Sequence, residues 1–392
     1  MAKPVFDHIM IEQKPNLKHW RSAILLFLKT GTAMSKTMQT TLAGLALGQS
    51  QHYRNLSLFP LFHQNGTGPA YLSLKEAIAQ GFLEVEEVSE SGSVPQLKAI
   101  NKGELPILLA DGEELEGAKQ NRIVNTSLLL AAHSENLIPV SCTESGRWSY
   151  SSRRFSDSGV MMSSRARYRK ASRVHDSLKS NRGYDAMQGE VWQDIEEVHR
   201  RSGSGSSRTR AMKDAFLERE EDMKAFLEAF PLQPGQNGML LFLNGELIGM
   251  DYISRAEAYT HLHEKLIKSH AIEALAEEDR PDDDNTPLEV RATNFLHSLE
   301  KMEAEKHQPP VGLGTDYRFE GEEAAGAALE HEGAIVHLTA FNKNALGDRQ
   351  AGLSRLARQE DRLQRQWAER RRRFEEAMQR SATPAAEKAP VK

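Results

Sequence analysis

The chain has 392 residues, 39% hydrophobic and 27% charged, with a formal charge of −5, the composition of a globular protein able to bury a core, neither collagen-like nor disordered throughout. Its single cysteine, Cys142, excludes an internal disulfide and a multi-cysteine zinc site, and it suits a reducing, cytoplasmic setting. The aliphatic run Ile24 to Leu28 is far short of the roughly 20 apolar residues a spanning helix needs, so no membrane anchor is expected there.

In chain order, residues 1–47 read as an N-terminal extension. Residues 71–81 predict a short helix with Ser73 as cap, Glu76 at the capping-box position and Gly81 as its stop. A strand is expected over 83–88. Asp111-Gly112 interrupts an apolar run from Leu105 and predicts a type I′ hairpin. Further β-type runs at 122–130 and 137–142 complete an expected antiparallel meander. The segment 239–249, with Asn244-Gly245 at its centre, repeats the order of the first hairpin. A duplicated sheet unit, or the common demands of a tight primed turn, would each give that echo.

Between the two hairpins the charge changes sign. From Glu144 to Arg182 there are ten basic residues against three acids, a net of +7. Serines and Tyr168 among these cations point either to a phosphate- or nucleobase-binding segment or to a solvated basic loop over 149–182. Helices are expected at 186–201, 209–230, 255–275 and 293–306, on stripes such as Trp192, Ile195 and Val198. A strand is expected at 334–341. Residues 346–380 form a basic amphipathic pattern containing Arg370 to Arg373, and 381–392 have the composition of a disordered tail. The class expected is α+β: one large domain over 48–345, with an antiparallel sheet and hairpin system, helices on one side and a helical C-terminal extension.

Standard catalytic signatures are missing: there is no Walker A sequence and no His-Glu-x-x-His, and Gly312-x-Gly314 lacks the third glycine of a dinucleotide fingerprint. His261 and His263 would point about 200° apart on a helix, and His263 and His270 would lie about 10 Å apart along it. They cannot share an ion, and no metal ligand and no cofactor is assigned. The densest polar run on expected strands is Lys119-Gln120-Asn121-Arg122, which defies simple in–out alternation, so some of these side chains must face the core or a pocket. Cys142, Glu144, Arg147 and Trp148 follow within one short segment. Cys142 is open to two readings, a thiol nucleophile activated by Arg147 or Lys119, or a small buried apolar residue.

The run Asp111-Gly112 through Gly117-Ala-Lys-Gln-Asn-Arg122, followed by Ile138-Pro-Val-Ser-Cys-x-Glu-x-Gly-Arg-Trp148, resembles the bacterial ARPP domain family, the ARG and rhodanese-phosphatase-superfamily-associated proteins. Further pieces follow in order: Gln188-x-x-x-Trp192, Ser207-x-Thr209, Gln236-x-Gly238, Asn244-Gly245 with Gly249, Lys265 to Ala274, Gly312-x-Gly-x-Asp-x-Arg318 and His337-Leu-x-Ala-Phe341. The resemblance runs from about Leu56 to Phe341. It departs at His270 and Glu273, where the family pattern carries Tyr and Asp.

What the resemblance implies is a setting beside ADP-ribosyl-glycohydrolase-like and phosphatase-like enzymes, in conflict (phage defence) or NAD and nucleotide metabolism, and hence an ADP-ribose or nucleotide-like ligand. On the residues, Lys119, Gln120, Asn121 and Arg122 would supply hydrogen bonds, Arg147 would contact phosphate and Trp148 would stack. Asp316 and Arg318 join this ligand-binding set, and Glu144 or Cys142 would serve if catalysis occurs. Two other readings stay open: a non-enzymatic scaffold for a protein partner such as the product of a neighbouring gene, and nucleic-acid binding through the basic segments.

Overall fold

The computed structural model describes residues 32–347 apart from 64–67, 90–91, 94, 206–208 and 283. The expected C-terminal helix beyond Gly347, the tail and most of the N-terminal extension lie outside the described residues.

The first half is mainly β: β1 (Thr32–Ala33), α1 (Lys36–Ala43), β2 (Leu45–Leu47), β3 (Gln51–Tyr53), β4 (Leu56–His63), β5 (Leu72–Ser73), α2 (Leu74–Ala79), β6 (Leu83–Glu87), β7 (Gln96–Asn101), β8 (Ile107–Leu109), β9 (Glu113–Gly117), β10 (Arg122–Val124), β11 (Leu128–Leu130), β12 (Ser134–Cys142) and β13 (Phe155–Met161). Helices then alternate with hairpins: α3 (Ser164–Lys179), α4 (Gln188–Ser202), α5 (Met212–Leu217), α6 (Glu220–Ala229), β14 (Gly238–Leu243), β15 (Glu246–Ile253), α7 (Ala256–Leu275), α8 (Leu288–Leu299), β16 (Glu303–His307), β17 (Thr315–Glu320), β18 (Ala324–His331), β19 (Ala334–Asn342) and α9 (Lys343–Leu346). The class is α+β, as the sequence pattern indicated. None of the described helices is long and apolar enough to cross a membrane.

A ten-stranded antiparallel sheet runs in the order β1-β16-β17-β18-β19-β15-β14-β4-β2, with β3 also on β4. Its central strands are apolar on both faces, so both faces must be covered. On one face Leu240, Phe242, Met250, Leu338 and Ala340 pack with Met38 and Leu42 of α1 and with Ala292 and Leu296 of α8. On the other, Met239, Leu241, Ile253 and Phe341 pack with α3 to α7 through residues such as Val174, Ile195, Phe216, Phe226 and Leu266. Helices therefore lie on both sides of this sheet, a correction to the one-sided packing expected. Period-two alternation also fixes where the polar residues of these strands go: Asp251, His337 and Thr339 fall on the second face, under α3 and α7.

The remaining strands form a six-stranded sheet, β13-β9-β10-β12-β7-β6, and a small sheet, β11-β8-β5, in which β5 and β8 are parallel. Both share a core with Leu74 and Ala77 of α2, built on Val85, Leu97, Leu109, Leu115, Val124 and Ile138. Helix α2 starts where expected, with the Ser73 hydroxyl accepting the Glu76 N–H.

Four expectations are corrected. Asp111-Gly112 does not close a hairpin: β8 pairs with β11 and β5, whereas β9 pairs with β10 and β13. Of the two turn residues only Gly112 has positive φ, at 84°, while a type I′ turn needs both. The chain uses this turn to pass between sheets, so the echo with 239–249 is not a duplication. Segment 149–182 is not a loop, since β13 and α3 occupy most of it. Residues 209–230 break into α5 and α6. Finally, the helix expected over 293–306 begins at Leu288 and ends at Leu299, and residues 303–307 pair with β17 instead, with Ala304 in the core and its neighbours on the other face.

The second hairpin is as expected. Asn244 (φ 49°) and Gly245 (φ 76°) both adopt the left-handed conformation between β14 and β15. A Cβ on Gly245 would lie 2.2 Å from the Asp282 carboxyl carbon. Gly245→Ala should therefore destabilise the fold by about 1–3 kcal/mol, measured by urea denaturation. Gly189→Ala, in a helix with open space around it, should leave stability unchanged or raise it.

Candidate functional site

Of the residues singled out on the sequence, one group gathers at the end of the six-stranded sheet. The turn between β9 and β10 carries Lys119, Gln120 and Asn121, all buried, and Arg122 opens β10 opposite Cys142 of β12. Just after β12 the chain turns at Glu144, and Arg147 folds back on it: its Nε lies 3.0 and 2.9 Å from the two carboxylate oxygens and its Nη2 2.6 Å from Oε2. The other guanidinium N–H groups donate to the Ala118 and Ser149 carbonyls, the Ser151 hydroxyl and Asn121 Oδ1. Asn121 Oδ1 also accepts the Gly117 N–H, which ties the turn down. Arg147 is thus bound by protein groups, in place of the phosphate expected there, and Glu144 is its counter-ion.

Arg122 is fully buried. Its Nη1 donates to the Gln120 carbonyl at 2.8 Å, and its Nη2 lies 3.6 Å from Glu87 Oε1. Above it lies an aromatic cover: the Trp148 ring centre is 5.8 Å from the Arg122 guanidinium and 5.5 Å from the Lys119 ammonium, and the Tyr150 ring is 5.2 Å from that ammonium. Trp148 is 38% and Tyr150 51% exposed. Two accessible aromatic rings over two cations make a surface that can take a flat, negatively charged molecule. Gly92 packs against the same place, since a Cβ there would sit 3.3 Å from both Lys119 Cδ and Trp148 Cζ2.

Cys142 has the surroundings of the second reading, a small buried residue. It is buried, burial pushes its thiol up to about 11, and its backbone N–H and carbonyl are both held by the Gln188 amide at 2.7 and 2.9 Å. Asp316 and Arg318 do not join the Trp148 group. They lie on β17 in the larger sheet, where Arg318 Nε donates to Asp316 at 2.8 Å, Arg318 Nη2 reaches the Thr126 hydroxyl, and Tyr184 donates to Asp316 at 3.1 Å.

These two residues belong instead to a chain of buried charges that the sequence reading missed. Arg167 of α3 makes a bidentate pair with Asp251 of β15, at 3.0 and 2.6 Å, and stacks on Phe341. Burial alone would raise the Asp251 carboxyl, but Arg167 holds it well below the usual range. One turn later Lys170 pairs with Asp111 and donates to the Asn125 carbonyl. Lys265 of α7 bridges Glu113 and Asp157 at 2.6 Å each. The Ser127 hydroxyl lies 2.5 Å from His337 Nδ1, whose Nε2 is 3.7 Å from Asp251. A serine, an imidazole and a carboxylate are aligned, yet the last gap exceeds a hydrogen bond and the carboxylate is already held by Arg167. The signal that pointed here was the presence of charged residues at core-facing positions of α3, β15 and α7, visible once the faces of those elements are known.

The basic segment resolves in the same way. Arg154 pairs with Glu84, Arg165 with Glu273 and Glu277, Arg169 with Asp194 and Glu197, Arg173 with Asp194 and Lys179 with Glu320. Its net positive charge is largely answered by acids from distant parts of the chain. His261, His263 and His270 likewise go to separate neighbours, Ser73, the Phe230 carbonyl and Asp251.

Two outcomes follow. Arg167→Met, which leaves Asp251 buried without its partner, should cost about 3–5 kcal/mol in chemical denaturation, and Arg167→Met/Asp251→Leu should recover part of the loss. Glu114, buried on β9 with its Oε1 accepting the Thr143 hydroxyl at 2.6 Å, has its carboxyl pushed by burial up to about 8 from the ordinary 4.5. The native state therefore binds a proton that the unfolded chain releases across that window, and stability falls as pH rises through it. Glu114→Gln should flatten that fall in melting temperature relative to the parent.

No protein of curated function and no solved structure matches the chain. Residues 44–341 match the family described as the ARG and Rhodanese-Phosphatase-superfamily-associated Protein domain. That span holds the Lys119 to Trp148 cluster and nearly all of the buried charge chain, and the protein belongs to the ARPP domain family.

Proposed function

We propose that the protein binds a phosphate-bearing, nucleotide-like ligand of the ADP-ribose class at the Trp148, Tyr150 and Lys119 surface. The observation that carries this is the pair of exposed aromatic rings set over the Lys119 ammonium and the buried Arg122 guanidinium. A base would stack on Trp148 or Tyr150, with the positive charge of Lys119 and Arg122 buried beneath the rings favouring a negatively charged ligand. Glu144, Arg147, Asn121 and Gln120 support the surface from below by fixing the turn that presents Lys119. The ADP-ribose setting implied by the sequence resemblance, whether conflict or NAD and nucleotide metabolism, fits this ligand class. Binding is the activity supported, since the thiol is silenced by burial and Glu144 is closed on Arg147.

A scaffold for a protein partner is the second reading, and the mutual satisfaction of Glu144, Arg147 and Asn121 favours it. Nucleic-acid binding through 149–182 is disfavoured, because those cations are engaged within the fold.

Calorimetric titration with ADP-ribose, NAD and mononucleotides separates the readings. With stacking contributing about 1–3 kcal/mol, Trp148→Ala should weaken ligand binding about tenfold or more while barely moving the melting temperature. Arg147→Ala should do the reverse, lowering stability by about 3 kcal/mol through the stranded Glu144. Absence of binding to every one of these ligands, or unchanged affinity in Trp148→Ala, would overturn the proposal and leave the scaffold.

A further inference from the structure

His175 on α3 and the pair Glu305 and His307 on β16 come from parts of the chain about 130 residues apart in sequence and meet at one end of the larger sheet. Glu305 and His307 are two apart on a strand, so they share a face, and that face lies toward α3: their partners in register on β17 are Arg318 and Asp316. His175 Nε2 and His307 Nε2 both face Glu305 Oε2, at 3.2 and 3.5 Å. Neither nitrogen makes a hydrogen bond, although both atoms are buried and the His175 residue is only 5% exposed. Two buried imidazole nitrogens are thus aimed at one carboxylate oxygen.

From these distances we infer that His175, Glu305 and His307 form a binding site for a divalent transition-metal ion, of which Zn²⁺ is the best fit. Ligands at the usual zinc distances of about 2.0–2.2 Å in a tetrahedron stand about 3.3 Å from one another, which the two nitrogen-to-oxygen separations match. All three ligand atoms lie within 4.8 Å of one another, so a small closure completes the set. Two imidazoles and one carboxylate are donors of the type zinc takes, and three protein ligands leave a coordination position open. Glu320 Oε2 lies 3.7 Å from the far nitrogen of His175, beyond a hydrogen bond, and Lys343 Nζ holds Glu320 at 2.9 Å, which leaves a carboxylate beside that histidine on the side away from Glu305. The nearby cations are answered: Arg318 by Asp316, and Lys179 by Glu320 at 3.6 Å. Glu305 and His307 are partly exposed, which gives an ion a way in.

The test uses the full chain without a polyhistidine tag, titrated with Zn²⁺ against a chromophoric chelator, with metal content measured after dialysis. About one zinc per chain is expected, and His307→Ala and Glu305→Gln should each weaken Zn²⁺ binding by about tenfold or more, with Glu320→Gln showing a smaller loss. His307 and Glu305 are partly exposed, so these variants remain informative if His175→Ala fails to fold; circular dichroism establishes that each is folded. Zinc content at background in the parent, or equal Zn²⁺ affinity in the parent and the Glu305→Gln/His307→Ala double variant, would overturn the site. Both readouts are independent of ADP-ribose binding at Trp148.

Discussion

The pairing of Arg167 with Asp251 is the constraint on which the arrangement of the layers depends. Asp251 stands on β15, near the middle of the ten-stranded sheet, on the face covered by α3 to α7. A carboxylate in that position is tolerable only with a fixed cation, because removing an unpaired charge from water costs several kcal/mol. Arg167 meets the requirement bidentately, which sets both the depth and the rotation of α3 on the sheet. Once α3 is fixed, Lys170 lies one turn along and must find its own anion, and Asp111 at the turn between β8 and β9 supplies it. The ion pairs thus transmit position from the large sheet, through a helix, to the smaller sheets. An apolar interface alone would leave that register free to slide, since hydrophobic contact has no direction. Lys265, reaching from α7 to Glu113 and Asp157, repeats the same device on a second helix.

This arrangement explains why the proposed binding surface can be small. The turn that presents Lys119 sits between β9, anchored by Glu113 and its neighbours, and β10, anchored through Arg122. Arg147 and Glu144 then close the outer edge. What remains accessible is the aromatic pair, held by a rigid frame, and rigid presentation lowers the ordering cost of any ligand that docks there. The proposed metal site occupies the opposite kind of location, the margin of the large sheet beneath the C-terminal half of α3. The same helix that carries Arg167 and Lys170 carries His175, so its docking would position the third ligand as well.

How far the sequence could be read varied with the physics involved. The hairpin at Asn244-Gly245 was legible because the residues that accept left-handed backbone are few. The one at Asp111-Gly112 was misleading for the same reason: the dipeptide specifies a turn, but which strands pair afterwards depends on partners far away in sequence. Helix α7 was legible over 255–275, while β16 was hidden, since Glu-Ala-Glu-Lys-His carries one buried residue and reads as the end of a helix. That single misassignment also hid Glu305 and His307 as a same-face pair. The excess of cations between Glu144 and Arg182 was visible, but its meaning was not, because the acids that answer it come from Glu84, Asp111, Asp251, Glu273 and Glu320.

The sequence by itself determined the class of the fold, the caps and primed turn, the family resemblance and the clustering of polar residues in the segment from Lys119 to Trp148. These are local matters, set by backbone preference, by apolar period and by the order of residues along the chain. Tertiary structure alone decided which charges are internal and which face solvent. It closed Arg147 on Glu144, buried Cys142, left Trp148 and Tyr150 at the surface, and brought His175 to Glu305 and His307. The physical reason is that a charge's role is fixed by its partner and its access to water, and both are properties of contacts between residues distant in the chain.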